Sequence, residues 1–215
     1  MDLQLIISYA QKILHFDSSG HDFYHAQRVA NTAWQLYQQD QVAVEQNVEP
    51  LILATGYLHD TLDDKLISDL ATAQEQVQII LQKTGFATKQ QKQILSVSQH
   101  LSYAANLQHH WKLPLWGQYV QDADRLDALG AIGIARAFAY GGKNSQAIYD
   151  PTIPCQKLTN KKQYRKHSTT TINHFYEKLL LLAYQMNTPA GLKLAQKRKQ
   201  YMQQFLTEFL AEWNF

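Results

Sequence analysis

The chain of 215 residues contains a single cysteine, Cys155, so no intrachain disulfide can form. Cys155 lies in a proline-containing, loop-like stretch, and we interpret it as incidental. The first residues lack the basic start and long apolar region of a signal peptide. No apolar run approaches the ~20 residues that are needed to span a membrane. These absences favour a cytoplasmic protein with no membrane partner.

Charge is also scarce and is spread along the chain. The formal net charge is +2, and charged residues make up 18% of the sequence. The one compact basic cluster lies at 161–167, and a stretch of this kind is most often a solvated helix face. Binding to duplex nucleic acid usually needs a clustered basic footprint, so we do not expect that partner.

Hydrophobic residues are plentiful at 45%, and they recur with the spacing of amphipathic helices. No stretch alternates as a half-buried strand would. The region 143–159 has two prolines and no periodicity, which indicates a long loop, either a lid or a plain crossover. We therefore predict one all-α domain over 1–215. Helices are predicted over about residues 3–14, 22–37, 49–60, 69–85, 88–101, 119–140, 160–186 and 189–213.

The most informative segment is Leu58-His59-Asp60, which is followed directly by Thr61-Leu62-Asp63-Asp64. It places one histidine and three acids within six positions, just after the apolar run 51–54. A core does not bury so many ionisable groups without a compensating partner. A metal ion or a polar cleft would provide that compensation.

Two other predicted helices offer further metal ligands. His25 lies on the second helix, and Asp124 lies on the long apolar helix. With His59 and Asp60 they form a set of two imidazoles and two carboxylates. Such a set suits an octahedral divalent ion with open water positions better than a closed structural zinc site. Each residue alone has a plainer interpretation, as a satisfied polar group or an exposed ion pair.

Three blocks in this order resemble the HD superfamily of metal-dependent phosphohydrolases, in particular its small bacterial stand-alone members. The blocks are the stretch 20–29 around His25, the pair His59-Asp60, and the stretch 122–133 around Asp124. The C-terminal region from His174 to Phe209 is also similar. The resemblance implies a helical bundle with a metal-binding core at about 20–130, completed by C-terminal helices at about 160–213. It implies His25, His59, Asp60 and Asp124 as ligands to one ion, with Mn²⁺ favoured and Fe²⁺, Co²⁺, Ni²⁺ or Mg²⁺ as alternatives.

The resemblance also implies a reaction. We expect pyrophosphohydrolysis of (deoxy)nucleoside triphosphates, giving a monophosphate and pyrophosphate. Action as a 5′-nucleotidase and hydrolysis of guanosine alarmones are alternatives within the enzyme class. A nucleotide-sensing helical domain without turnover is an alternative of another class.

Of the acids in the last block, Asp124 matches the family ligand because it directly precedes Arg-Leu. Asp122 lies about 160° away on an ideal helix, so both cannot point at one metal. Asp127, three residues further on, is placed to orient a ligand or a water molecule.

Catalytic roles are expected for Asp63, Asp64 and Arg28. The two acids lie four residues after His59 and Asp60, either one helical turn away or in a loop at the rim of the same cleft. The resemblance to alarmone hydrolases implies proton transfer and positioning of the attacking water for this pair. Their alternative role is to cap the next turn. Arg28, one turn after His25, would offset phosphate charge, or would form a structural ion pair instead.

Weaker expectations concern substrate contacts. The candidate residues are His21, Lys65, His100, Arg125, Lys143 and Lys178. His100 with His109 and His110 could hold a second metal, but we favour one metal and expect His100 to line the substrate pocket. Tyr103, Tyr140 or Tyr149 could stack on a nucleobase. The apolar final helix allows a homodimer, or packs on its own domain.

Overall fold

The computed structural model describes residues 1–15, 17, 20–40, 48–63, 67, 69–106, 111–157 and 169–214. Within these residues the fold is all-α and contains no strand. No helix among them is long and apolar enough to cross a membrane. The helices are α1 (Gln4–Leu14), α2 (Phe23–Gln39), α3 (Val48–Leu58), α4 (Leu70–Lys83), α5 (Thr88–His100), α6 (Leu115–Asp127), α7 (Gly130–Lys143), α8 (Thr171–His174), α9 (Leu180–Leu182) and α10 (Pro189–Trp213).

Three segments of other helix types complete this list. A 3-10 turn, His59–Leu62, continues directly from α3, and a second one covers Ala104–Asn106. A π-helical segment, Phe175–Leu179, joins α8 to α9. Short π-helical segments inside helices are often found at functional sites.

The central packing unit consists of α2, α3 and α6, each of which contacts the other two. At Gly56 in α3, an added Cβ atom would lie only 2.5 Å from the Cα atom of Ala30 in α2. The two helix backbones therefore approach closely because Gly56 has no side chain. This close approach packs the last turn of α3, which directly precedes His59 and Asp60, against α2. One buried apolar cluster extends from Ile6 in α1 to Leu206 in α10.

Side-chain caps begin several helices close to their predicted starts. The carboxylate of Asp22 accepts a hydrogen bond from the His25 backbone N–H, and Asp69 caps α4 in the same way. Thr188 caps α10 at the Thr-Pro start. These local contacts explain why the starts of α2, α4 and α10 could be predicted closely.

The predicted helix over 119–140 is wrong as a single element. α6 already begins at Leu115, and the chain breaks at 128–129 before α7 starts at Gly130 with a φ of 74°. Glycine adopts this positive φ without a steric penalty. The apolar pattern runs through the break because Leu126 and Leu129 are both buried. Periodicity alone therefore did not reveal the break.

Two other boundaries differ from the prediction. The helix predicted over 160–186 begins at Thr171, capped by Thr170, and its last helical residue is Leu182; residues 158–168 lie outside the described part. The helix predicted through the His-Asp motif ends as an α-helix at Leu58. Asp63 is extended, so it lies in the loop at the rim, one of the two alternatives.

Candidate metal centre and adjoining cavity

Four side chains from three parts of the chain meet at one point. His25 comes from the first turn of α2, His59 and Asp60 from the 3-10 turn after α3, and Asp124 from α6. The Nε2 atom of His25 lies 3.2 Å from His59 Nε2, 3.3 Å from Asp60 Oδ2 and 3.4 Å from Asp124 Oδ1. His59 Nε2 lies 3.3 Å from Asp60 Oδ1. His25, His59 and Asp60 are buried.

These separations suit coordination of a divalent ion. Two ligand atoms at right angles, each about 2.1 Å from a metal, lie roughly 3 Å apart. The His25–His59–Asp124 and His21–His25–Asp60 groups each keep their donor atoms within 4.8 Å of one another. A set of nitrogen and oxygen donors without sulfur fits Mn²⁺, Fe²⁺, Co²⁺ or Mg²⁺.

The Nδ1 atoms of His25 and His59 each have a hydrogen-bond partner. His25 Nδ1 lies 2.7 Å from Asp127 Oδ2, and His59 Nδ1 lies 2.8 Å from the carbonyl oxygen of Gly56. Donation through Nδ1 leaves Nε2 of the neutral ring as the ligand atom, which is the tautomer that metal binding requires.

Asp127 forms the centre of a buried network with His25, Arg28 and Arg136, here called the Asp127 network. Arg28 binds its carboxylate with two hydrogen bonds, from Nε at 2.7 Å and from Nη2 at 2.9 Å. Arg136 on α7 adds a third from Nη1 at 3.0 Å. Asp127 thus connects two arginines to the imidazole of a candidate metal ligand.

In this network Arg28 takes the alternative role that the sequence allowed. Its guanidinium is not part of the cavity lining and forms the structural ion pair that the sequence allowed as the alternative. Arg136, which sequence reasoning missed, both contacts Asp127 and lines the cavity. Its position on the helix after the break gave no local signal of this long-range contact.

The Asp127 network and the candidate metal ligands shift one another's pKa values. Burial and Arg136 lower the pKa of His25, but its bonds to Asp124, Asp127 and Asp60 outweigh both and raise it to about 10. Burial raises the pKa of Asp124, but His25 and His59 lower it to about 2. The carboxylate is therefore ionised at neutral pH, and metal binding at His25 is coupled to loss of a proton.

Burial and neighbouring side chains also shift the pKa values of Asp60 and Asp127. Burial opposes ionisation of Asp60, yet His59 and His21 hold its pKa well below the usual range. Burial also opposes ionisation of Asp127, but its bonds to His25 and Arg28 lower its pKa. Both side chains are thus anionic groups in a buried site, as a cation-binding centre requires.

Asp122 points away from this centre, as the helical geometry predicted. It is fully buried and accepts hydrogen bonds from the backbone N–H of Asn187 and from the Thr188 hydroxyl, at 2.9 and 2.8 Å. Asp122 therefore fixes the start of α10, while Asp124 faces the histidines.

A cavity of about 340 Å³ opens beside the four candidate ligands. This volume is at the lower end of the range for small-molecule sites. The predicted residues His21, Asp63, Arg125 and Lys178 line it. His21 Nδ1 also lies 3.0 Å from Asp60 Oδ2, so His21 reaches the metal centre as well as the cavity.

The structure places two predicted substrate residues, His100 and Lys143, outside the cavity lining. His100 does not line the cavity; its Nδ1 bonds to the Ser96 carbonyl at 2.6 Å, and its ring packs on Trp111. Lys143 forms an ion pair with Asp17 at 3.0 Å instead. Both side chains thus have polar partners outside the cavity.

Four of the predicted residues lie outside the part of the chain that the structure describes, namely Asp64, Lys65, His109 and His110. Among the candidate stacking residues, Tyr103 and Tyr140 line the cavity, whereas Tyr149 packs on Phe209 and Trp213. Several polar lining residues had no sequence signal, among them Gln74, Ser98, Gln99 and His174.

Known proteins resemble this chain over nearly its whole length. Bacillus subtilis YpgQ is 30% identical over 205 residues, which cover 94% of this chain and 89% of YpgQ. A solved structure of a Lactobacillus plantarum protein is 40% identical with a TM-score of 0.85, covering 98% of this chain and 96% of that one. No family model matches the chain.

A third comparison defines the class. An HD-superfamily hydrolase from Bacillus thuringiensis is 39% identical with a TM-score of 0.71, covering 99% of this chain and 96% of that one. The chain therefore belongs to the HD-superfamily hydrolases and is a metal-dependent phosphohydrolase. The crystal structure of YpgQ in complex with ADP is 26% identical, with a TM-score of 0.76, and covers 98% of this chain and 97% of that one.

Proposed function

We propose that this chain hydrolyses nucleoside triphosphates to the monophosphate and pyrophosphate. The observation that carries the proposal is the cavity, because it joins the candidate metal ligands to three cationic side chains, Arg125, Arg136 and Lys178. A polyphosphate is the type of substrate that needs several cations beside a metal. The complex of YpgQ with ADP supports a nucleotide as ligand.

His25, His59, Asp60 and Asp124 would hold one divalent ion, with Mn²⁺ as our preferred ion. A divalent ion bound by such ligands supplies Lewis acidity toward a phosphoryl oxygen and lowers the pKa of water. The described ligand set has four groups, so an octahedral ion would keep positions for water and substrate.

The surrounding residues would transfer the proton, bind the phosphates and orient the candidate metal ligands. Asp63 would accept the proton of the attacking water at the cavity rim. Arg125 and Lys178 would bind phosphate oxygens and stabilise the charge of the departing pyrophosphate. His21 would hold the Asp60 carboxylate in its orientation through the 3.0 Å contact. Asp64 and Lys65, next along the chain, remain proposed contributors to proton transfer and phosphate binding.

Product analysis tests this function. The full chain with Mn²⁺ is incubated with the ribonucleoside and deoxyribonucleoside triphosphates, and products are separated by anion-exchange chromatography. We expect a monophosphate and pyrophosphate in equal amounts, and no turnover by Asp60→Ala above the uncatalysed rate. Asp150→Ala, a change at an exposed loop carboxylate that bonds to Thr152, should retain wild-type activity.

Each of the other outcomes would favour one of the alternative functions. Release of inorganic phosphate and a nucleoside from monophosphates would identify a 5′-nucleotidase. Turnover restricted to guanosine alarmones would identify an alarmone hydrolase. Tight nucleotide binding without any product would favour the sensing domain and would contradict the enzyme assignment.

A further inference from the structure

The two walls of the cavity differ in charge. On one wall, α6, α7 and the π-helical segment contribute Arg125, Arg136 and Lys178. On the other, the cavity-lining residues of α4 and α5 among those described are all uncharged, and the adjoining Leu101 and Ser102 are uncharged too. The lining residues of α4 and α5 are Leu70, Gln74, Ser98 and Gln99. The candidate metal ligands lie at the same cavity.

Ser98 on the neutral wall has an unmet hydrogen-bonding requirement. Its side chain is only 8% exposed, and its Oγ atom has no hydrogen-bond partner. A buried hydroxyl without a partner costs about 1–3 kcal/mol. Because Ser98 lines the cavity, a ligand with a hydroxyl or a ring nitrogen could supply the missing bond.

The guanidinium of Arg125, which also lines the cavity, is incompletely hydrogen-bonded. The residue is 8% exposed, its Nη1 donates to the backbone carbonyl of Gln185, and its Nε has no partner. No carboxylate among the described residues lies within ion-pair distance of its guanidinium. Asp122 and Asp124 attract this cation without forming an ion pair with it. A substrate phosphate would provide a direct anionic partner.

We propose that the α4–α5 wall is the nucleoside subsite and that Ser98 and Gln99 determine which nucleoside binds. The base and sugar pack against Leu70 and hydrogen-bond to Ser98, Gln99 and Gln74, while the outer phosphates reach Arg125. This orientation places the bond between the first two phosphates next to the metal ligands. It rests on the proposed function for the identity of the substrate.

Binding measurements test this orientation independently of turnover. Isothermal titration in matched Mn²⁺ compares the eight common nucleoside monophosphates with inorganic pyrophosphate as probes. For Ser98→Ala we expect about tenfold weaker binding of the tightest monophosphate, the effect of losing one hydrogen bond of about 1.4 kcal/mol. Pyrophosphate affinity should stay within about twofold. Gln99→Ala should also change the preference among bases.

Arg125→Gln should show the reverse pattern, with a larger loss for pyrophosphate than for the monophosphate. Arg198→Gln is the matched control, since Arg198 also donates to a backbone carbonyl, that of Leu126, but does not line the cavity. Unchanged monophosphate affinity in both Ser98→Ala and Gln99→Ala would overturn the proposal, as would the absence of binding by all eight monophosphates. A chain that shows the expected pattern without turnover would instead contradict only the proposed function.

Discussion

Asp127→Ala is expected to lower the free energy of unfolding by about 3–5 kcal/mol and to weaken Mn²⁺ binding roughly 10- to 100-fold. Asp127 is 4% exposed and is the carboxylate that Arg28, Arg136 and His25 share. Its removal leaves the buried His25, the mostly buried Arg136 and the partly exposed Arg28 without their shared anion. Breaking a buried pair by removing one partner is strongly destabilising for this reason.

The effect on metal binding has a separate physical cause. Asp127 orients His25 through the 2.7 Å contact at Nδ1 and so presents Nε2 toward the metal centre. Without this contact the ring can rotate and can adopt the other tautomer. Residues that hold a metal-binding histidine typically change metal affinity 10- to 100-fold when mutated.

Urea denaturation and Mn²⁺ titration measure these two effects. Arg28→Gln is a milder variant for comparison, because it removes one of the two arginines that bind Asp127 and keeps the carboxylate. It should weaken Mn²⁺ binding less than Asp127→Ala does and leave the KM for nucleotide unchanged at saturating Mn²⁺. Wild-type stability and wild-type Mn²⁺ affinity in Asp127→Ala would contradict the role of the network. A raised nucleotide KM in Arg28→Gln would restore a substrate role for Arg28.

Asp63→Asn is expected to reduce kcat by about 100-fold or more while Mn²⁺ stays bound. Asp63 follows the 3-10 turn that carries His59 and Asp60, and it lines the cavity. Asparagine has nearly the same shape but cannot accept a proton at neutral pH. General base catalysis by a positioned side chain typically contributes 10²- to 10⁴-fold.

The test measures kcat and the amount of bound Mn²⁺ in the Asp63→Asn variant and in the comparison variants described below. Asp69→Asn is the matched control, because Asp69 caps α4 outside the cavity and asparagine caps a helix equally well. Asp64→Asn shows whether the next acid shares the task. Loss of Mn²⁺ from Asp63→Asn would make Asp63 a metal ligand, and unchanged kcat in both Asp63→Asn and Asp64→Asn would remove the proton-transfer role.

Much of the fold could be predicted because its signals are local. The apolar spacing and the caps at Asp22, Asp69 and Thr188 depend on residues within a few positions of each other. The convergence of His25, His59-Asp60 and Asp124 is long-range, and the family resemblance of three ordered sequence blocks predicted it. The HD-superfamily membership and the all-α fold are confirmed.

The interactions of Arg28, Lys143 and His100 were not evident from the sequence. The partner of Arg28 is 99 residues away at Asp127, and that of Lys143 is 126 residues away at Asp17. A charge pattern does not show whether a cation faces substrate or a distant carboxylate. His100 differs again, since its ring nitrogen bonds to the carbonyl of Ser96, four residues earlier on its own helix.

The number of Mn²⁺ ions per chain at full activity tests the central claim most directly. Metal analysis of the saturated, active protein, together with anomalous diffraction at the manganese edge, should show one ion within coordination distance of His25, His59, Asp60 and Asp124. The ion should be lost in Asp60→Ala. Two ions per active chain, or one ion bound away from these four residues, would contradict the account.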